Sequence, residues 1–300
     1  MKKLFSLIVL IILISFIYTN RENIVKIYND YFVPIEDKIT KLEKNSYYRN
    51  YDFSYVQNID HFIPQNKDEI INIYYTIVNS GMNEFTFYCP KEYANCVNDV
   101  RDIANDQDMI SNLNNFVHPY NSFKTLQTEV DSVGKITIHI NKVYDDEMII
   151  ILNYKIDEVL KNNINQDDSL RDKIRKIHNY IINHTVYDKD RSDNKIINYK
   201  SDNAYGVLAE GYGLCGGYTD AMMLFLEKLG VKSIKISTEN HIWNYVNIDD
   251  KWLHLDLTWD DPVSSDGKNI LDDSYFLITD QELKQLEKEE HNYNLEIYAQ

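Results

Sequence analysis

Three residues in the second half of the chain, Cys215, His241 and Asp256, are of the types that together make a thiol work as a nucleophile. A thiol attacks as its thiolate, an adjacent imidazole takes its proton, and a carboxylate fixes the imidazole's tautomer and stabilises its charged form. Cys215 lies in Gly211-Tyr212-Gly213-Leu214-Cys215-Gly216-Gly217, followed by Ala221, Met222, Phe225, Leu226 and Leu229 at helical spacing, with Gly230 as a stop. The cysteine therefore opens a buried helix, whose unpaired amides and partial positive charge favour a thiolate. The amide of Cys215 is placed to donate to an oxyanion, and the flanking glycines are expected to let a substrate backbone come close. Alone, a cysteine beside an apolar helix is more often an inert core residue.

The downstream pattern changes that balance. Ile242 to Ile248 and Lys251 to Thr258 alternate around Asp249-Asp250, a two-residue link suited to a tight hairpin. In that register Ile248 pairs with Lys251, Trp243 with Asp256, and His241 with Thr258. One face carries Ile242, Val246, Ile248, Leu253, Leu255 and Leu257, interrupted by Asn244. The other carries His241, Trp243, Tyr245, Trp252, His254, Asp256 and Thr258, and reads as the polar face, on which His241 and Asp256 are diagonal neighbours within hydrogen-bonding reach. A metal reading would take Cys215, His241, His254 and Asp256 as ligands, but the chain has no paired-cysteine or His-x-x-x-His spacing to support it.

Taken together, Ala204 through Gly213-Leu214-Cys215-Gly216-Gly217-Tyr218, His241-Ile242-Trp243-Asn244, and Trp252-Leu253-His254-Leu255-Asp256-Leu257-Thr258-Trp259-Asp260-Asp261-Pro262 resemble the core of the transglutaminase-like superfamily. The likeness extends upstream to Ile177-His178-Asn179-Tyr180-Ile181 and Tyr187-Asp188, and downstream to Asp273 through Asp280. The family often has proline where this chain has Leu257. The resemblance implies a papain-like α+β fold, with a helix carrying the cysteine packed on an antiparallel sheet carrying the histidine and aspartate. It also implies a Cys215-His241-Asp256 triad acting on protein or peptide substrates, as a peptidase or amidase or as an acyltransferase, without cofactor or metal. Related enzymes take a second oxyanion donor from upstream of the cysteine, a role open here to Tyr205, Tyr212 or a backbone amide. A non-catalytic surface-binding module that keeps this fold is the contrasting reading.

These elements sit in a chain of 300 residues, long enough for two ordinary domains. A formal charge of −16, spread along the sequence, argues against nucleic-acid binding. Lys2 and Lys3 precede an apolar run from Leu4 to Tyr18 without an Ala-x-Ala-like cleavage site, which reads as an uncleaved membrane anchor in preference to a signal peptide, with the remainder exported. The expected organisation is an anchor or signal segment at 1–19, a stalk at 20–46, a smaller α+β domain at 47–160, the transglutaminase-like domain at 165–285 and a tail at 286–300. Within the first domain, Ile136–Ile140 and Met148–Leu152 alternate with period two and read as a hairpin turning at Tyr144–Glu147. Cys89 and Cys96 are plausible disulfide partners in an exported protein, and pairing them leaves Cys215 as the free cysteine. Ser169 is placed to cap a helix whose face carries Leu170, Ile174, Ile177 and Ile181. His254 reads as a satisfied hairpin residue, His178 and His184 as packed or solvated, and Tyr187-Asp188 as a pair that caps or buttresses the cleft from outside the site.

Overall fold

The computed structural model describes residues 12–25, 39–261, 272–286 and 289–298. The fold is α+β, with two antiparallel sheets and helices packed on them. Helix α1 (Lys67–Ser80) starts at Asn66, whose side chain accepts from Glu69 N while Glu69 accepts from the Asn66 amide, and it stops at Gly81 with φ of 77°. Strand β1 (Glu84–Tyr88), helices α2 (Cys96–Asn105) and α3 (Gln107–Leu113), and strands β2 (Phe123–Val130) and β3 (Lys135–Lys142) follow, the strands forming a sheet of order β1-β3-β2.

Residues 146–152 depart from the sequence expectation. Asp146–Asn163 is one helix, α4, not the second arm of a hairpin. Asp145 caps it by accepting from Met148 N, Asp146 and Glu147 occupy its first turn, and Met148, Leu152, Ile156 and Val159 form its buried stripe. The alternation over five residues was part of a longer helical period.

Helix α5 (Leu170–His184) is capped by Ser169 as expected. Strand β4 (Val186–Tyr187) pairs in parallel with β5 (Tyr212–Gly213), and a short helix α6 (Lys189–Asn194) lies between them in sequence. Helix α7 (Cys215–Lys228) leads to an antiparallel sheet of order β6-β7-β8-β9, made of Ser233–Ser237, Ile242–Ile248, Lys251–Leu255 and Phe276–Ile278. Helix α8 (Asp280–Leu286) follows.

The β7-β8 register agrees with the alternation: Ile248 faces Lys251 and Asn244 faces Leu255. Asp249 and Asp250 both take positive φ, 52° and 59°, as a two-residue hairpin of this hand requires. The expected polar face of the hairpin is not a solvent face. Trp243 and Tyr245, with Ile234 and Ile236 of β6, join a core shared with α1, the first sheet and Phe53. Val246, Leu255 and Leu257 join the other core, with α4, α5 and α7. The hairpin is thus a wall between two cores, buried on both sides.

Cys89 and Cys96 are disulfide-bonded, with Cα atoms 5.6 Å apart, and Cys215 is free. Among the described residues no helix is long and apolar enough to cross a membrane. Of the expected anchor, Leu4 to Ile11 lie outside the described residues, and residues 12–19 are helical with Ile12, Leu13, Ile14, Phe16 and Ile17 exposed.

Candidate active site

Cys215 occupies the first position of α7, where no side chain caps the helix, and it is partly exposed. The helix start is held by main-chain and side-chain bonds to its neighbours. Leu214 N donates to Ser201 O at 2.7 Å, Ser201 Oγ donates to Asp188 Oδ2 at 2.6 Å, and Asp188 N donates to Gly213 O at 2.9 Å. The glycines around the cysteine serve this packing. A Cβ on Gly217 would collide with the Ser201 carbonyl, and one on Gly213 would meet the Tyr218 ring. Asn244, the polar interruption in the hairpin's apolar face, donates to Thr219 O at 3.0 Å, while Thr219 Oγ1 donates to Ile242 O at 3.0 Å. These two bonds fix α7 to β7, and with it the cysteine to the histidine.

His241 immediately precedes β7, in a turn closed by Thr238 N donating to His241 O at 2.8 Å. Its ring stacks on Trp243, with centroids 5.6 Å apart and planes 16° apart. Nε2 lies 2.5 Å from Asp256 Oδ2, which leaves Nδ1 as the nitrogen available to Cys215, whose charge acts on the ring. Asp256 leaves the end of β8 and is almost wholly buried. Its Oδ1 accepts from the amides of Thr258 at 3.0 Å and Trp259 at 3.2 Å. Its Oδ2 also faces His291 Nε2 at 2.9 Å.

The electrostatics follow from these contacts. Burial pushes the His241 imidazolium toward neutrality, but the Asp256 charge and hydrogen bond, with Cys215 beside it, outweigh burial and raise its pKa to about 10. Burial alone would raise Asp256, yet the imidazolium and the two histidine hydrogen bonds hold its carboxyl well below the usual range. The pair is therefore a charged, hydrogen-bonded unit.

The cysteine and histidine open on a cleft of about 420 Å³, lined also by Tyr187, Ser192, Asn240, Thr258, Trp259, Asp261 and Glu290. Burial raises Asp261 to about 6 although Tyr218 OH donates to it at 2.5 Å. A larger concavity of about 1120 Å³ lies elsewhere, between Tyr47, Lys142, Asp146 and Tyr199, and contains none of the three candidate residues. Chemistry, not size, selects the smaller cleft.

Tyr187, expected to cap or buttress the cleft from outside the site, lines it. Tyr212 stacks on Tyr199 at 3.7 Å, Tyr205 lies under Lys200, and neither side chain lines the cleft. Trp243 is a buried platform under His241, and Trp252 packs on Tyr245 and Phe53; Trp259 is the tryptophan in the cleft wall. His254 is satisfied as expected: burial lowers its pKa, its Nδ1 accepts from Trp243 Nε1 at 2.9 Å, and its Nε2 lies 2.8 Å from Asp280. His178 is buried and pairs with Asp260 at 2.9 Å, whose other oxygen accepts from Tyr275 N, so this pair anchors the chain just beyond Asp256. His184 stacks on Tyr180. His291 had no motif to mark it. His241, Asp256 and His291 bring their donor and acceptor atoms within 4.8 Å of one another, and we read the set as hydrogen bonds, because two ring N–H groups converge on one carboxylate oxygen.

Residues 158–257 match the family model of the transglutaminase-like superfamily, a stretch that contains Cys215 and His241 and ends one residue beyond Asp256. This part of the chain is a transglutaminase-like domain. A solved structure described as the crystal structure of a TGase aligns with 17% identity and a TM-score of 0.34, over 45% of this chain and 44% of that one. No curated protein matches the sequence.

Proposed function

We propose that the protein is a cysteine-dependent acyl-transfer enzyme acting on protein or peptide carboxamides or peptide bonds, with Cys215 as nucleophile, His241 as proton carrier and Asp256 as the group that orients it. The observation that carries the reading is the arrangement of His241, one ring nitrogen on a buried carboxylate and the ring sharing a cleft with a partly exposed cysteine at a helix start. In the first half-reaction the thiolate of Cys215 attacks the carbonyl carbon, and the carbonyl π electrons move to oxygen. The amide of Cys215 at the uncapped helix start supports that oxyanion. As the intermediate collapses, the C–N bond breaks and the His241 imidazolium gives its proton to the leaving nitrogen, which departs as ammonia or an amine and leaves a thioester. Water or an amine then attacks the thioester while His241 takes its proton, and the Cys215 thiolate is released.

The Cys89–Cys96 disulfide and the apolar N-terminal run support an extracytoplasmic, membrane-anchored setting. The test uses the single free thiol. Iodoacetamide near neutral pH is expected to label Cys215 at least tenfold faster than glutathione, because the thiolate fraction sets the rate. His241→Ala is expected to remove that excess. Turnover is read as ammonia released from glutamine-containing peptides, with and without an added amine. Labelling at the glutathione rate, unchanged by His241→Ala, leaves a binding module as the better account.

A further inference from the structure

The sequence after Leu286 reads as a tail, yet residues 289–298 run back along the hairpin and insert into the site. Thr238 Oγ1, in the turn that presents His241, donates to Glu290 O at 3.0 Å. Tyr298 OH accepts from Asn115 at 3.1 Å and from Ser237 N at 3.3 Å, anchoring the far end of the segment. Between these anchors His291 is packed with its side chain fully shielded from solvent. Its ring stacks on Tyr275, with centroids 5.4 Å apart, and contacts Trp243 and Trp259.

The position of the ring relative to Asp256 is what matters. His291 Nε2 is 2.9 Å from Asp256 Oδ2, the same oxygen that His241 Nε2 reaches at 2.5 Å. The two imidazoles meet edge to face, 5.2 Å apart. Oδ1 is already held by the amides of Thr258 and Trp259, so the carboxylate is oriented without His291. What His291 adds is a second N–H on the oxygen that serves the base. Each donor on a carboxylate stabilises its charge and makes it a weaker acceptor for the others.

We propose that His291 shares the Asp256 carboxylate with His241 and thereby loosens that carboxylate's grip on the His241 proton, acting through Asp256 as a positioning residue. This rests on the acyl-transfer reading, in which His241 must surrender a proton to the leaving nitrogen. A base that holds its proton too tightly is a poor acid in that step. The groups facing His291 are Asp256, His241 and Tyr275, with His254, Asp280 and Tyr293 beyond Trp243, Cys215 beside His241, and Glu289 and Glu290 adjoining it in sequence.

The test is a histidine ¹⁵N NMR titration of the full chain. His291→Phe fills the space among Tyr275, Trp243 and Trp259 but removes the N–H, and is expected to move the His241 midpoint upward by about one pH unit, a tenfold gain in proton affinity. His291→Gln restores an N–H at similar reach and is expected to return the midpoint to within a few tenths of wild type. A midpoint that stays put or falls in His291→Phe, or a glutamine variant that behaves like phenylalanine, overturns the proposal. Should His291→Phe fail to fold, the wild-type spectrum decides: the proposal requires the proton on His291 Nε2, and the Nδ1–H tautomer refutes it. Labelling of wild-type Cys215 at the glutathione rate would instead sink the acyl-transfer reading, so the two failures are separable.

Discussion

Asp256→Asn tests the heart of the site with one atom. The carboxylate accepts four hydrogen bonds: two from the amides of Thr258 and Trp259 and two from His241 and His291. An asparagine oxygen can keep the two amide bonds, but its NH₂ then points at two ring N–H groups. To avoid donor facing donor, both histidines must move their protons to Nδ1. For His241 that is the nitrogen toward Cys215, so the ring donates to the sulfur instead of accepting its proton. Turnover should fall by roughly 10³–10⁴-fold, as expected when the base is locked in the wrong tautomer. Because the carboxylate is buried and paired, folding suffers too. Breaking a buried pair costs about 3–5 kcal/mol, which at about 2–4 °C per kcal/mol lowers Tm by on the order of 10 °C. Thermal unfolding by tryptophan fluorescence and ammonia release from a glutamine peptide measure the two effects on one sample. A folded Asp256→Asn protein with activity within tenfold of wild type would refute the reasoning.

Stability should depend on pH in a defined window: His241, raised to about 10 when folded against 6.5 unfolded, contributes fully below 6.5 and loses its contribution as pH rises through 10. Asp256, held low, contributes above the ordinary carboxylate value of 3.8 and loses its contribution as pH falls below it, so urea midpoints should be flat between 3.8 and 6.5 and decline on both sides. Gly217→Ala should push the Ser201 carbonyl away from the start of α7, costing about 1–3 kcal/mol in chemical denaturation and slowing Cys215 labelling together. Reducing the Cys89–Cys96 bond should cost about 2–3 kcal/mol, and non-reducing mass spectrometry of the untreated protein should find one alkylatable cysteine. Protease added to intact cells should digest the chain beyond Arg21 if the N-terminal run anchors it facing outward; protection reverses that topology.

The parts of the site legible in sequence were those with local period or turn chemistry. Two residues of positive φ at Asp249-Asp250 set the hairpin register, and the apolar run after Cys215 set the helix. Misreadings arose where a pattern was too short or had a second meaning. Met148–Leu152 alternates over five residues, but the Asp145 cap and the stripe continuing to Ile156 and Val159 belong to a helix. Trp243, Tyr245 and Trp252 on the histidine face were the mark of a second core, whose members on the first sheet lie more than a hundred residues upstream. His291 was invisible for a similar reason: its role depends on a chain return that no local spacing encodes.

The hairpin's lack of a solvent face has a practical consequence for cutting the protein down. The matched stretch 158–257 looks like a portable module, yet Trp243 and Tyr245 within it belong to the core that holds Phe53, the first sheet and Tyr298, and His291 and Tyr293 pack on Trp243. A fragment trimmed to that stretch would display a bare aromatic wall beside an unpaired β8 edge, since β9 lies at Phe276–Ile278. Such a surface invites self-association. The smallest stretch that keeps both cores together therefore runs from the residues near Phe53 to the end of the returning segment, and its solubility depends on both flanks.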